Sequence, residues 1–218
     1  MDAAKKVFHR SLFLTGPAGR LEALLWTSGA PVPAMAGLVC HPHPLFGGTM
    51  HNKVAFQAAK SLHRADLPVL RFNFRGAGLS EGEHDRGRGE QGDVRSALDF
   101  LSEEFPGVPV VLAGFSFGAW VGLRVGAEDA RVARLIGLGI PVNDSDFSYL
   151  RECAKPKLFV VGTEDRFAAR DRVESLFEAL PEPKQLVFVE DADHFFTGKL
   201  GQVDRAITDW LRTHSLAG

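Results

Sequence analysis

From residue 36 onward, short runs that are almost wholly apolar alternate with longer segments whose apolar residues recur every three or four positions. The runs are AGLVCHP (36–42), LPVLRFNF (67–74), VPVVLAGF (108–115), ARLIGLGI (133–140), PKLFVVGT (156–163) and KQLVFVED (184–191). A strand that is apolar at successive positions must be covered on both faces, so these predict strands of a parallel sheet sandwiched between helices. The segments between them, NKVAFQAAKSLHRA (52–65), QGDVRSALDFLSEEF (91–105), GAWVGLRVGAE (118–128), ARDRVESLFEAL (169–180) and GQVDRAITDWLRTH (201–214), carry helical spacing. Upstream, KVFHRSLFLTGPAGRLEALLWTS (6–28) alternates about a Gly-Pro-Ala-Gly turn and predicts an antiparallel hairpin. The expected fold is therefore an α/β, three-layer α/β/α sandwich: a mostly parallel, doubly wound sheet with an N-terminal hairpin. No internal repeat or low-complexity tract breaks the rhythm, and a single domain over 1–218 is expected.

Composition narrows the partners. The 218-residue chain is 45% hydrophobic with a formal charge of −2 and mixed signs along its length, so no basic stripe offers itself to nucleic acid or an anionic membrane. The opening MDAAKKVFHRSLFLTG has no continuous apolar stretch or small-residue cleavage site, and no run is long enough to span a bilayer; a soluble, cytoplasmic protein is expected. The two cysteines, Cys40 and Cys153, have no C-x-x-C spacing and are expected to be small buried hydrophobes rather than a disulfide or zinc site.

The strongest chemical motif lies where a strand meets a helix: Gly114-Phe115-Ser116-Phe117-Gly118, a G-x-S-x-G pattern. Small residues flanking the serine permit a sharp turn that exposes its Oγ, and the N–H of the next residue, Phe117, then points from a helix N-terminus toward a substrate oxygen. A serine hydroxyl needs a base, and the base needs an orienting acid. Asp165 in GTEDRF and His194 in DADHFF both follow strands, at the sheet edge where ligands bind, so Ser116, Asp165 and His194 are the candidate nucleophile, acid and base. Rival acids are Glu164, Asp144 and Asp146; Asp191 and Asp193 sit too close to His194 along the chain and are read as turn formers; His84 is a second choice of base. Gly87-Arg88-Gly89-Glu90-Gln91-Gly92 satisfies G-x-G-x-x-G, but no strand leads into it, so it is expected to be a glycine-rich approach to a helix.

The loop HPHPLFGGTMHNK (41–53) admits two readings. His41 and His43, two apart on an extended segment, could join His51 in a three-histidine metal site, giving a metal-dependent hydrolase. Alternatively the prolines brace a turn in which only His43 or Leu45 retains a backbone N–H to donate. A non-catalytic binding protein on the same scaffold is the third possibility. The aromatic side chains near the motifs, Phe115, Phe117, Trp120, Phe195 and Phe196, suggest an apolar pocket, although core packing is expected of Phe115 and Trp120.

The HPHPLFGG loop, RFNFRGAGLSEGE, GFSFGAW, GTEDRF and DADHFF together span nearly the whole chain, and with them it resembles the α/β-hydrolase superfamily, in particular a small lidless serine hydrolase group related to dienelactone hydrolases. Dienelactone hydrolases proper use a cysteine nucleophile, and the serine at position 116 favours ordinary ester chemistry. The resemblance implies a Ser116-His194-Asp165 esterase acting through an acyl-enzyme, without metal or cofactor, on a small-molecule ester. It places any lid between LIGLGI and KLFVVG, where only PVNDSDFSYLRECAKP stands, and so implies an open site. It also implies that the loop after the first parallel strand supplies the second oxyanion N–H. Matching Phe46-Gly47 to the family's Phe-Gly makes Leu45 that donor in preference to His43. His43, Phe46 and Phe195 are the candidate substrate contacts.

Overall fold

The computed structural model describes residues 8–27 and 33–213. The outermost residues of the expected hairpin, Lys6, Val7 and Ser28, and His214 of the last expected helix lie outside them. The hairpin forms as β1 (Phe8–Gly16) and β2 (Gly19–Thr27), and the parallel strands are β3 (Ala36–Cys40), β4 (Val69–Phe72), β5 (Val110–Phe115), β6 (Val132–Leu138), β7 (Lys157–Gly162) and β8 (Lys184–Val189). The helices are α1 (Lys53–Arg64), α2 (Gly89–Glu104), α3 (Phe117–Glu128), α4 (Arg170–Glu178) and α5 (Leu200–Thr213). All eight strands join one sheet in the order β1-β2-β4-β3-β5-β6-β7-β8. β2 pairs antiparallel with both β1 and β4, and the remaining pairs are parallel.

Strand alternation explains the unbroken apolar runs. In β5, Val110 and Leu112 pack with Val94 and Leu98 of α2 and Leu123 of α3 on one face, while Val111, Ala113 and Phe115 pack with Ala58 of α1 and Ile207 and Trp210 of α5 on the other. Each successive residue therefore enters a different core, and removal of the apolar surface from water on both faces supplies most of the driving force. β8 departs from the expected double coverage: at the sheet edge, its residues from Lys184 to Phe188 are only half-buried. An edge strand has a neighbour on one side only, and the ammonium of its Lys184 donates to the Phe177 and Leu180 carbonyls at 2.9 and 2.8 Å.

Strand order reverses between β3 and β5, and the loops leaving the carboxyl ends of β3, β5, β7 and β8 carry every residue of the expected site. Between β6 and β7 there is only a loop with one short 3-10 turn, Ser148–Glu152. Among the described residues no helix is long and apolar enough to cross a membrane.

Candidate active site

Ser116 occupies the single junction between β5 and α3, at φ 55° and ψ −120°. A non-glycine residue in this region stores on the order of 1–3 kcal/mol of strain, which the strand and helix on either side must offset. Its amide donates to the Leu138 carbonyl of the neighbouring strand at 3.0 Å, and its carbonyl accepts from Ala119 and Trp120 of α3. Glycine at 118 is a steric requirement, because a Cβ there would collide with the carbonyls of Cys40 and His41 where β3 ends.

Two further loops complete the constellation. After β7, Asp165 is 5% exposed; its Oδ1 accepts the Phe167 N–H at 2.9 Å, which aims Oδ2 at the loop beyond β8. That second loop is stitched to the first by the Glu164 N–H donating to the Ala192 carbonyl at 3.0 Å and is pinned in the core by the fully buried Phe196. Asp193 forms the turn, accepting from the Phe195 and Thr197 amides, which also holds its carboxyl below the ordinary range. His194 is thereby placed with Nδ1 2.8 Å from Asp165 Oδ2 and Nε2 2.9 Å from Ser116 Oγ. Asp165 can only accept in its ionised form, so Nδ1 carries the ring proton and Nε2 presents its lone pair to the serine hydroxyl. The imidazole is held between the Phe115 and Phe167 rings, with centroids 5.0 and 4.6 Å away.

None of the rival groups is hydrogen-bonded to the side chain of Ser116 or His194, whose partners are each other and Asp165. Asp146 accepts from the Ser148 amide and hydroxyl at 2.8 and 2.9 Å, Asp144 stands at the rim, and Glu164 is exposed. His84 Nδ1 lies 2.7 Å from Oε1 of the fully buried Glu90, off the line of a hydrogen bond. Gly87 and Gly89 lead into α2 as the approach to a helix.

The three histidines of the HPHP loop do not converge. His41 is fully buried, its Nε2 accepts the Phe74 N–H at 2.9 Å, and its Nδ1 therefore bears the proton directed at the Pro42 carbonyl 2.6 Å away. Burial pushes its pKa down to about 4, so it is neutral with no lone pair to spare for a metal. His51 is exposed, and among the described residues no cluster of three His, Cys, Asp or Glu side chains is arranged to hold a metal ion.

The Leu45 amide has a partner inside the loop. Pro44–Phe46 form a 3-10 turn capped by His43, whose Nδ1 accepts the Leu45 N–H at 3.2 Å. The Leu45 amide is thus used inside its own loop, and its side chain is 68% exposed. This short-range cap could not be anticipated from a family alignment of Phe46-Gly47, because it depends on a histidine at position 43. His43 itself packs its ring against Phe46, Phe117 and His84, with centroids 4.6–4.8 Å away. Burial and the neighbouring His84 hold its pKa below the ordinary imidazole value, against the opposite pull of Glu90.

Ser116 and His194 open into a cleft of about 670 Å³. His43, Phe46 and Phe195 line it, with Phe46 86% and Phe195 52% exposed. Phe115 is in the core, and Trp120, half-buried, packs against the core while also forming part of the cleft wall, its indole N–H donating to the Asp146 carbonyl at 3.1 Å. Phe167 and Arg166 also line the cleft and were not singled out from the sequence. Phe167 follows Asp165 by two residues, and that proximity was the available signal.

Residues 39–208 match the family model described as an alpha/beta hydrolase domain. The chain is 36% identical to an uncharacterized protein of Rickettsia prowazekii over 211 residues, covering 93% of this chain and 88% of that one. It is similar to a solved structure from Xanthomonas campestris, described as an a/b serine hydrolase without lid, at TM-score 0.86 and 35% identity, covering 94% of each chain. An alpha-beta serine hydrolase homologue from Coxiella burnetii gives TM-score 0.86 at 35% identity, covering 92% of this chain and 96% of that one.

Proposed function

The chain belongs to the alpha/beta hydrolase domain family, and from that premise we propose that it is a serine hydrolase cleaving carboxylic esters of small molecules through an acyl-enzyme. The observation that carries this reading is the continuous hydrogen-bonded path from Asp165 through His194 to Ser116, with distances of 2.8 and 2.9 Å. In the proposed reaction His194 Nε2 takes the Ser116 proton as Oγ attacks the ester carbonyl, and returns it to the departing alcohol. Water then attacks the acyl carbonyl as His194 Nε2 takes its proton, and His194 returns that proton to Ser116 Oγ as the acid departs, which restores the starting state. Asp165 holds the ring tautomer and stabilises the imidazolium. The developing oxyanion is held by the Phe117 N–H at the start of α3, where helix geometry leaves the first amides without partners. For the second donor, engagement of the Leu45 amide by His43 Nδ1 favours the N–H of His43. The aromatic walls and the exposed Phe46 and Phe195 support a substrate with an apolar acyl or alcohol body, and the absence of a large insertion between β6 and β7 supports ready access.

The test is hydrolysis of p-nitrophenyl acetate together with labelling by a fluorophosphonate probe. Ser116→Ala should abolish labelling and lower kcat by at least about 10⁴-fold. An unaltered rate in that variant would refute the assignment. Activity silenced by a chelator and restored by metal would support a metal-dependent hydrolase instead, and an intact protein that neither labels nor turns over would support a binding protein.

A further inference from the structure

One buried cation near the cleft has no part in the chemistry proposed above. Arg71 of β4 is 2% exposed, and its guanidinium lies over the Trp26 and Phe56 rings, 4.3 and 5.1 Å from their centroids. Its Nε has no hydrogen-bond partner, and among the described residues it forms no ion pair with a carboxylate. A buried charge without a counter-ion costs stability, and a methionine or leucine would fill the same space without that cost. What the guanidinium does hold is the Met50 carbonyl, to which Nη1 donates at 2.7 Å.

That contact belongs to a three-point grip. Met50 N–H donates to Asn73 Oδ1 at 2.7 Å, and Phe74 N–H donates to His41 Nε2 at 2.9 Å. Arg71, Asn73 and Phe74 therefore clasp the loop where it leaves β3, at His41, and where it returns, at Met50. Two residues before Met50, Gly48 packs so closely under the loop that a Cβ would collide with the Pro42 carbonyl, and its amide donates to the His43 carbonyl at 3.0 Å. The Pro42 carbonyl and the His43 N–H share one rigid peptide plane.

We propose that Arg71 is a positioning residue: by holding the Met50 carbonyl it seats Gly48 against Pro42 and so sets the peptide plane that aims the His43 N–H at the oxyanion. This rests on the serine-hydrolase reading above. The role belongs to the hydrogen bond and not to the charge, which makes it separable from an ordinary contribution to folding.

The experiment compares parent, Arg71→Met and Arg71→Lys for p-nitrophenyl acetate kinetics and thermal unfolding. Arg71→Met should lower kcat about tenfold or more, because a misaimed oxyanion donor is felt in the transition state, with KM changed less than about twofold and Tm no lower than the parent's. Arg71→Lys, whose ammonium can still reach the Met50 carbonyl, should recover most of kcat. A Met variant that keeps the parent kcat overturns the inference. So does one that loses kcat and Tm together or fails to fold, since Arg71 would then be structural. A stable Lys variant as slow as the Met variant overturns it as well. A parent that does not hydrolyse the ester removes the serine-hydrolase reading and this inference with it, whereas an active parent with an equally active Met variant removes this inference only.

Discussion

His41 and His194 stand at the same edge of the sheet, His41 just beyond β3 and His194 in the loop after β8, and by burial they are nearly alike, at 0% and 6% exposed. Each has both ring nitrogens engaged. His41 is held between two backbone groups, the Pro42 carbonyl and the Phe74 amide, while His194 is held between two side chains, the Asp165 carboxylate and the Ser116 hydroxyl. A backbone amide does not give up its proton and a carbonyl does not keep one, so the first ring can only brace. A carboxylate can stabilise a charged imidazole and a hydroxyl can surrender its proton, so the second ring is equipped to move one. Neither the residue type nor the depth of burial separates a structural histidine from a reactive one; the nature of its partners does.

Three measurements sharpen or break that comparison. The largest effect is expected at the proposed orienting acid. Asp165→Asn preserves the shape of the loop but offers an amide N–H where His194 needs an acceptor, which favours the wrong tautomer; kcat should fall on the order of 10³–10⁴-fold with folding intact. A rate within tenfold of the parent would show that His194 takes its orientation from elsewhere. Next comes the donor in the HPHP loop. Replacing the peptide N–H of residue 43 with an ester oxygen, by incorporating the α-hydroxy analogue of histidine, should cost about 10²-fold in kcat, and the same replacement at residue 45 much less. The reverse ranking would return the role to Leu45.

The third measurement concerns the bracing histidine and reads stability instead of rate. Burial lowers the His41 pKa from 6.5 to about 4, so below pH 6.5 the unfolded chain binds a proton that the folded chain does not. The full stability is present above about pH 6.5 and declines as the pH falls toward 4, by about 3 kcal/mol in total. Urea unfolding across that window should show a steeper decline for the parent than for His41→Gln, whose side chain does not titrate. Parallel declines would mean that the His41 ring is protonated in the folded state and braces differently.

The parts of the fold legible in the sequence are those set by neighbours along the chain. The segments AGLVC, VVLAGF and LFVVG are apolar at successive positions because alternate residues enter opposite cores, and each lies in a strand. The G-x-S-x-G spacing signalled the sharp junction at Ser116 because the steric demand falls on the residues immediately around it. β8 was less legible, since its edge position depends on where the rest of the sheet stops. Trp120 packs against the core, as helical spacing among apolar residues suggests, but that spacing could not show that the cleft opens beside it. The Leu45 N–H is engaged by His43 Nδ1, and that cap could be seen only once the loop's turn was known.

The sequence by itself determined the order of strands and helices along the chain, the sharp turn at Ser116 and the succession of Ser116, Asp165 and His194, since hydrophobic period and turn chemistry act over a few residues. Tertiary structure alone decided which side chains meet. His194 reaches Ser116 across 78 positions, His41 meets Phe74 across 33, and Arg71 finds Met50 across 21. Those partners are set by strand order and loop packing, and they determine whether a given imidazole or guanidinium braces the fold or serves the site.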